Sequence, residues 1–174
     1  DQNIYRAIGL ATGNLLGPKT AVVGRDMRIS SPELASAFIE GMLESGADVT
    51  DIGLVSTDAL YFAVGHYEFD CGAMVTASHN PPQYNGLKMC KKAAVPLSAE
   101  TDMAQILKLI QTDSLKLAST KGRLIQKEII PDFIKHALSF VDIKTIKPFK
   151  IVIDAGNGMA GKIVPELFKY LPCE

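Results

Sequence analysis

Strand-length apolar runs alternate with helix-length amphipathic ones along this chain, and that alternation restricts the fold more than any other feature. IYRAIGLATGNLL repeats apolar residues at helical spacing through Ile4, Ile8, Leu15 and Leu16. TAVVG reads as a short buried strand closed by the polar turn RDMRIS. Ser31 is then placed to cap a helix with Pro32 at its first position. That helix carries Leu34, Phe38 and Met42 on one side and stops at Gly46. ADVTDIG, GAMVTA and GLKMC read as further strands, with a helix over DALYFAVGHY between the first two. GAMVTA and GLKMC flank a polar loop and are expected to be neighbours. SAETDMAQILKLIQ sets Met103, Ile106, Leu107 and Ile110 in one stripe and reads as a helix. Alternation of this kind belongs to the α/β class, with helices on both faces of a sheet in three layers.

TDSLKLASTKGRL is polar and indicates no clear element. Beyond it Pro131 opens a helix over DFIKHALSFVD, and IKPFKIVIDAGNG repeats the theme of strand, glycine-rich turn and helix. The shift divides the chain into a first α/β unit, residues 1–126, and the beginning of a second, residues 127–174. A single strand cannot satisfy its own edges, and Asp1 stands where a start Met is expected. Both units are therefore expected to be incomplete pieces of a longer chain.

A net charge of -1 with 21% charged residues gives no basic field to attract nucleic acid or a membrane surface. No apolar run approaches the ~20 residues of a membrane span. Cys71, Cys90 and Cys173 are widely spaced and odd in number, matching neither a disulfide framework nor a zinc site. They indicate a reducing, cytoplasmic setting, with Cys71 and Cys90 as small core residues. His66 and His136 fall in helical stretches and read as structural or surface residues.

Two glycine- or serine-centred loops invite chemistry. GNGMAG at 156–161 fits G-x-G-x-x-G after an expected strand, and Lys162 nearly completes a P-loop. Ile163 stands where that loop needs Ser or Thr, and Pro165 falls early in the helix that follows. Dinucleotide binding through Gly156 to Gly161 and a plain tight turn both remain open, the turn being favoured. TASHNP at 76–81 is the second loop, followed by NGLK. It lacks the G-x-S-x-G of a nucleophile elbow, and adjacent side chains seldom face each other, so Ser78 and His79 are not expected to be a nucleophile–base pair. Phosphoryl transfer fits better: it needs an oxygen nucleophile, cationic groups and a proton carrier. Ser78 supplies the oxygen, while His79 and Lys88 supply cationic or proton-donating groups. Asn80 either donates hydrogen bonds or holds the turn, and Pro81-Pro82 stiffens the loop. An ordinary polar loop is the competing reading. For Arg25, Asp26 and Arg28 a place near the site and a solvated loop both remain open, the solvated loop being favoured.

TASHNP with YNGLK resembles the serine signature of the α-D-phosphohexomutases, which include the bacterial phosphomannomutase/phosphoglucomutase enzymes. The likeness extends through VGRDMRISSPELASAFIEGMLESGADVTDIGLVSTDALYFAV, similar to that family's first domain, and KIVIDAGNGMAG, similar to the start of its second. The resemblance implies an α/β/α sandwich with a mixed sheet, and conversion between hexose 1-phosphates and 6-phosphates through a bisphosphorylated sugar. It implies that Ser78 carries phosphate and that this phosphate ligates Mg2+. It implies that Lys88 moves a proton at the sugar hydroxyl and that His79 and Asn80 border the site, Asn80 and Lys88 meeting substrate. It makes the GNGMAG turn structural. It also places the family's Y-D-I-R-G motif before Asp1 and its D-G-D-G-D-R metal loop beyond Glu174, so the remaining domains of the same chain would be its partners. A non-catalytic relative that keeps only the fold is the alternative.

Overall fold

The computed structural model describes residues 1–174. Helix α1 (Gln2–Leu16) starts where the Asp1 carboxylate accepts from the Ile4 N–H at 3.0 Å. It ends at Gly17, whose φ of 57° is the left-handed cap that glycine adopts without a steric cost. There follow β1 (Thr20–Arg25), α2 (Ser31–Glu44), β2 (Asp48–Leu54), α3 (Thr57–His66), β3 (Cys71–Val75), β4 (Leu87–Lys91), α4 (Ala104–Gln111), β5 (Leu124–Gln126), α5 (Ile130–Leu138) and α6 (Ala160–Phe168).

The strands form one mixed sheet in the order β4-β3-β1-β2-β5. β3, β1, β2 and β5 run parallel, and β4 returns antiparallel to β3 with Lys88 opposite Met74. Because side chains alternate along a strand, β1 serves two cores. Ala21 and Val23 face Leu34, Phe38 and Met42 of α2 and Tyr5 and Ala11 of α1. Val22 faces the other way, with Met74 and Cys90, onto Leu60 and Val64 of α3 and Ile130 and Ile134 of α5. This double burial is why TAVVG and GAMV read as continuous apolar runs. Helices α1 and α2 cross closely through glycine: a Cβ at Gly41 would lie 2.0 Å from the Arg6 carbonyl oxygen. No helix is long and apolar enough to cross a membrane.

Several local expectations need correction. Ser30, not Ser31, is the residue preceding α2, and it makes no side-chain capping bond. Ser31 is buried and donates to Asp26 Oδ1 at 2.6 Å instead. Residues Ala99–Met103 form a wider π-type turn before α4, and of the expected stripe Ile106 is buried while Leu107 is 53% exposed. The polar stretch runs into β5, which begins at its last residue, Leu124, and pairs with β2. The helix opened by Pro131 stops at Leu138. KIVID is not a strand: Val152 is 94% exposed, and the backbone beside it pairs with the chain end rather than a sheet, Ile151 N–H to Glu174 O at 2.7 Å and Glu174 N–H to Phe149 O at 3.0 Å. β propensity does not make a strand where no sheet edge lies alongside.

Candidate functional site

β3 is buried along its whole length and delivers the chain to Thr76 at the end of the sheet. The loop that begins there closes on itself, with the Thr76 N–H donating to Gly86 O at 2.9 Å. Inside it, the Ser78 N–H donates to Thr76 Oγ1 at 2.9 Å, and both the N–H and Nδ2 of Asn80 donate to Ala77 O at 3.0 Å. The Tyr84 N–H closes a second turn on Pro81 O at 3.0 Å. Asn80 thus holds the turn through its amide nitrogen. These bonds leave Ser78 with φ 54°, a left-handed conformation that costs a non-glycine residue roughly 1–2 kcal/mol. A serine held there while its side chain stays exposed is a strained residue at a strand end, where such strain commonly serves function.

Arg28 secures this loop from beneath. Its Nη1 donates to Pro81 O at 2.8 Å and Tyr84 O at 3.0 Å, and its Nη2 to Ser78 O at 2.9 Å and Asn80 O at 2.7 Å. Its Nε pairs with Asp26 Oδ2 at 3.2 Å, and both side chains are more than nine-tenths buried. The solvated loop expected for Asp26 and Arg28 is therefore wrong for both. Arg25 is turned the other way, to Asp51 at 3.3 Å. Asn85 ties the returning limb to α2 through Nδ2, which donates to Ser30 Oγ at 3.0 Å and Ser31 Oγ at 2.9 Å.

Ser78 forms a ridge between two open hollows. On one side it shares a hollow with Asn80, Tyr84 and Lys88; on the other it faces His79, the Ser56–Thr57–Asp58 start of α3, and Gly158. His79 Nδ1 lies 3.4 Å from Ser78 Oγ, so the two neighbouring side chains do face each other, at a long separation for a hydrogen bond. Lys88 is exposed on β4. Ser56 caps α3, accepting from the Ala59 N–H at 3.2 Å, and the positive end of that helix borders the second hollow.

The chain's own side chains do not fit a complete magnesium site. No three His, Cys, Asp or Glu side chains converge. Asp26 is committed to Arg28 and Ser31. The GNGMAG loop has lost its expected strand, and Lys162 Nζ donates to Leu54 O at 2.8 Å rather than facing the loop amides. Gly156 has φ 52°, which explains glycine there as a turn residue. Cys71 and Cys90 are buried, and burial pushes their thiols up to about 12 and about 11. His66 and His136 join an aromatic cluster around Phe62.

Residues 1–116 match the model of the family described as phosphoglucomutase/phosphomannomutase, alpha/beta/alpha domain I. The chain is 36% identical over 174 residues to a phosphomannomutase of Vibrio cholerae, a match covering 97% of this chain and 38% of that protein. It is 38% identical over 174 residues to a protein of Xanthomonas campestris named as phosphohexose mutases, covering 100% of this chain and 39% of that one. A crystal structure of a phosphoglucomutase/phosphomannomutase family protein from Burkholderia thailandensis superposes with a TM-score of 0.85 at 33% identity, over 100% of this chain and 39% of that one. The chain thus spans less than half the length of the relatives it matches.

Proposed function

Because this chain belongs to the phosphoglucomutase/phosphomannomutase family, we propose that it supplies the phosphoryl-carrying serine of an enzyme interconverting hexose 1-phosphates and 6-phosphates. The observation that carries this reading is Ser78: exposed, left-handed in φ, and set in a loop whose carbonyls are fixed from below. Phosphoryl transfer needs little covalent chemistry from a protein beyond placement and charge. Ser78 Oγ gives its phosphoryl group to the free hydroxyl of a hexose phosphate, leaving a serine hydroxyl and a bisphosphorylated sugar. The sugar turns end for end, and its other phosphoryl group returns to Ser78 Oγ.

Lys88 Nζ, on the Asn80 side of the ridge, takes the proton from the attacking sugar hydroxyl while His79 gives a proton to the leaving Ser78 Oγ, and the second transfer reverses both. His79 stands against Ser78 Oγ on the opposite side and partners the serine when it is free of phosphate. Asn80 keeps the turn in shape beside the substrate. Magnesium would take a phosphate oxygen on Ser78; we place its carboxylate ligands, and the groups that grip the sugar's far phosphate, outside these 174 residues. Residues 1–126 act as the serine-bearing α/β unit, with α5 packed against its sheet, and the residues beyond α5 lead into the next.

The test is a coupled mutase assay on the protein with all its domains, using glucose 1-phosphate and mannose 1-phosphate with a catalytic amount of bisphosphorylated sugar. Turnover of at least one sugar that Ser78→Ala abolishes is the expected result. Ser78→Ala working at the parent rate overturns the assignment.

A further inference from the structure

We propose that Arg28 is the positioning residue of the phosphoryl-carrying loop, setting the backbone of Ser78 and aiming the His79 N–H at the phosphoryl group. The inference rests on Ser78 being the carrier.

A guanidinium has five N–H donors in a rigid plane. In Arg28 all of them are used: Nε on Asp26 Oδ2, the two of Nη1 on Pro81 O and Tyr84 O, and the two of Nη2 on Ser78 O and Asn80 O. Four carbonyls of one loop therefore converge on one buried cation that lies 50 to 56 residues earlier in the chain. The cation is itself anchored. Asp26 Oδ1 accepts from the Arg28 N–H at 3.1 Å and from Ser31 Oγ at 2.6 Å, and the Asp26 N–H donates to Val75 O at 3.0 Å. Val75 is the last residue of β3, so the anchor and the loop spring from the same point of the sheet.

Turning carbonyls inward has a consequence on the other side. A trans peptide is planar, with its N–H opposite its C=O. With Ser78 O held on Arg28, the following N–H, that of His79, points away from the guanidinium and toward the open side of the loop. The sequence suits this arrangement. The carbonyls of Asn80 and Pro81 are followed by Pro81 and Pro82, which have no N–H to be left without a partner. The charge of Arg28 is largely balanced by Asp26, so its contribution is geometric: it fixes the left-handed turn at Ser78. Lysine could not replace it, since one ammonium carries three donors on a single atom and cannot span four carbonyls.

Arg28→Lys and Arg28→Met in the complete protein test this. Displacement of the reacting oxygen by about 1 Å costs roughly 10²-fold in rate. We expect kcat to fall by that order with KM for the hexose phosphate little changed, and hydrogen exchange of the Asn80 and Tyr84 amides to quicken while β1 and β3 exchange as before. Should Arg28→Met not fold, Arg28→Lys, which keeps the charge beside Asp26, decides the matter alone. An Arg28→Lys protein with parent kcat, or with parent protection at Asn80 and Tyr84, overturns the proposal. The carrier reading fails separately: Ser78→Ala would then stay active, whatever the exchange rates show.

Discussion

Gly41→Ala gives the sharpest test of how the helical layer beneath the site is packed. The added Cβ would lie 2.0 Å from Arg6 O, 2.7 Å from Leu10 N and 2.9 Å from Arg6 C. All three are backbone atoms of α1, so no rotamer change relieves the overlap. Restoring an ordinary contact requires α1 to withdraw by about 1.4 Å, a gap that forfeits roughly half or more of each dispersion contact it opens. α1 contributes Tyr5 and Ala11 to the core beneath, so the loss spreads beyond the crossing point. Overpacking of this kind costs about 1–3 kcal/mol, and alanine returns up to about 1 kcal/mol of helix propensity. With backbone set against backbone, the net should be a destabilisation of about 2 kcal/mol, or a fall in Tm of roughly 4–8 °C. Gly65→Ala, in α3, is the control. A Cβ there meets nothing within 4 Å, so the same exchange should stabilise by about 0.5–1 kcal/mol. Urea unfolding followed by circular dichroism, with the m-value unchanged, measures both. If Gly41→Ala is as stable as Gly65→Ala, the close crossing of α1 and α2 is wrong.

Lys88→Met should leave Tm nearly unchanged, because the side chain is exposed, while turnover of the complete enzyme drops by roughly 10²-fold or more; an unaffected rate assigns Lys88 to the surface alone. In native protein at neutral pH, Cys173 should react with a thiol reagent well before Cys71 and Cys90, which are buried and held protonated. Because burial raises those two thiols from 9.0 to about 12 and about 11, their contribution to stability is complete below about pH 9 and is lost as pH rises through 11 and 12. Cys71→Ala with Cys90→Ala should flatten that alkaline decline, and an unchanged profile would exclude the thiols as its cause.

The alternation of apolar runs with amphipathic ones made the sheet and its flanking helices visible, because burial on both faces writes itself into composition. The loop at Ser78 was visible for a different reason: turn-forming residues follow a buried strand without a break. What stayed hidden depended on distant contacts. Leu124–Gln126 are all exposed, and β5 is fixed beside β2 partly by the Arg123 side chain on Asp48, at 2.7 Å. Ile151–Asp154 have the local pattern of a strand and no strand to pair with. Arg28 reads as a solvent-facing charge because its carbonyl partners lie beyond residue 77, and nothing local marks their return. Its nearest sequence signal is Asp26 two residues earlier, a spacing that a turn brings into register. Ser31 was misassigned for a related reason: two adjacent serines offer the same cap, and the buried carboxylate of Asp26 takes the second.

The central claim is that Ser78 Oγ carries the transferred phosphoryl group. Peptide mass spectrometry on the complete protein isolated from cells, with and without exposure to a hexose bisphosphate, reads this directly. The account predicts phosphate on the peptide containing Ser78, restored by the bisphosphate after phosphatase treatment and absent from Ser78→Ala. Phosphate confined to another serine, in a protein that still turns over hexose phosphate as Ser78→Ala, would contradict it.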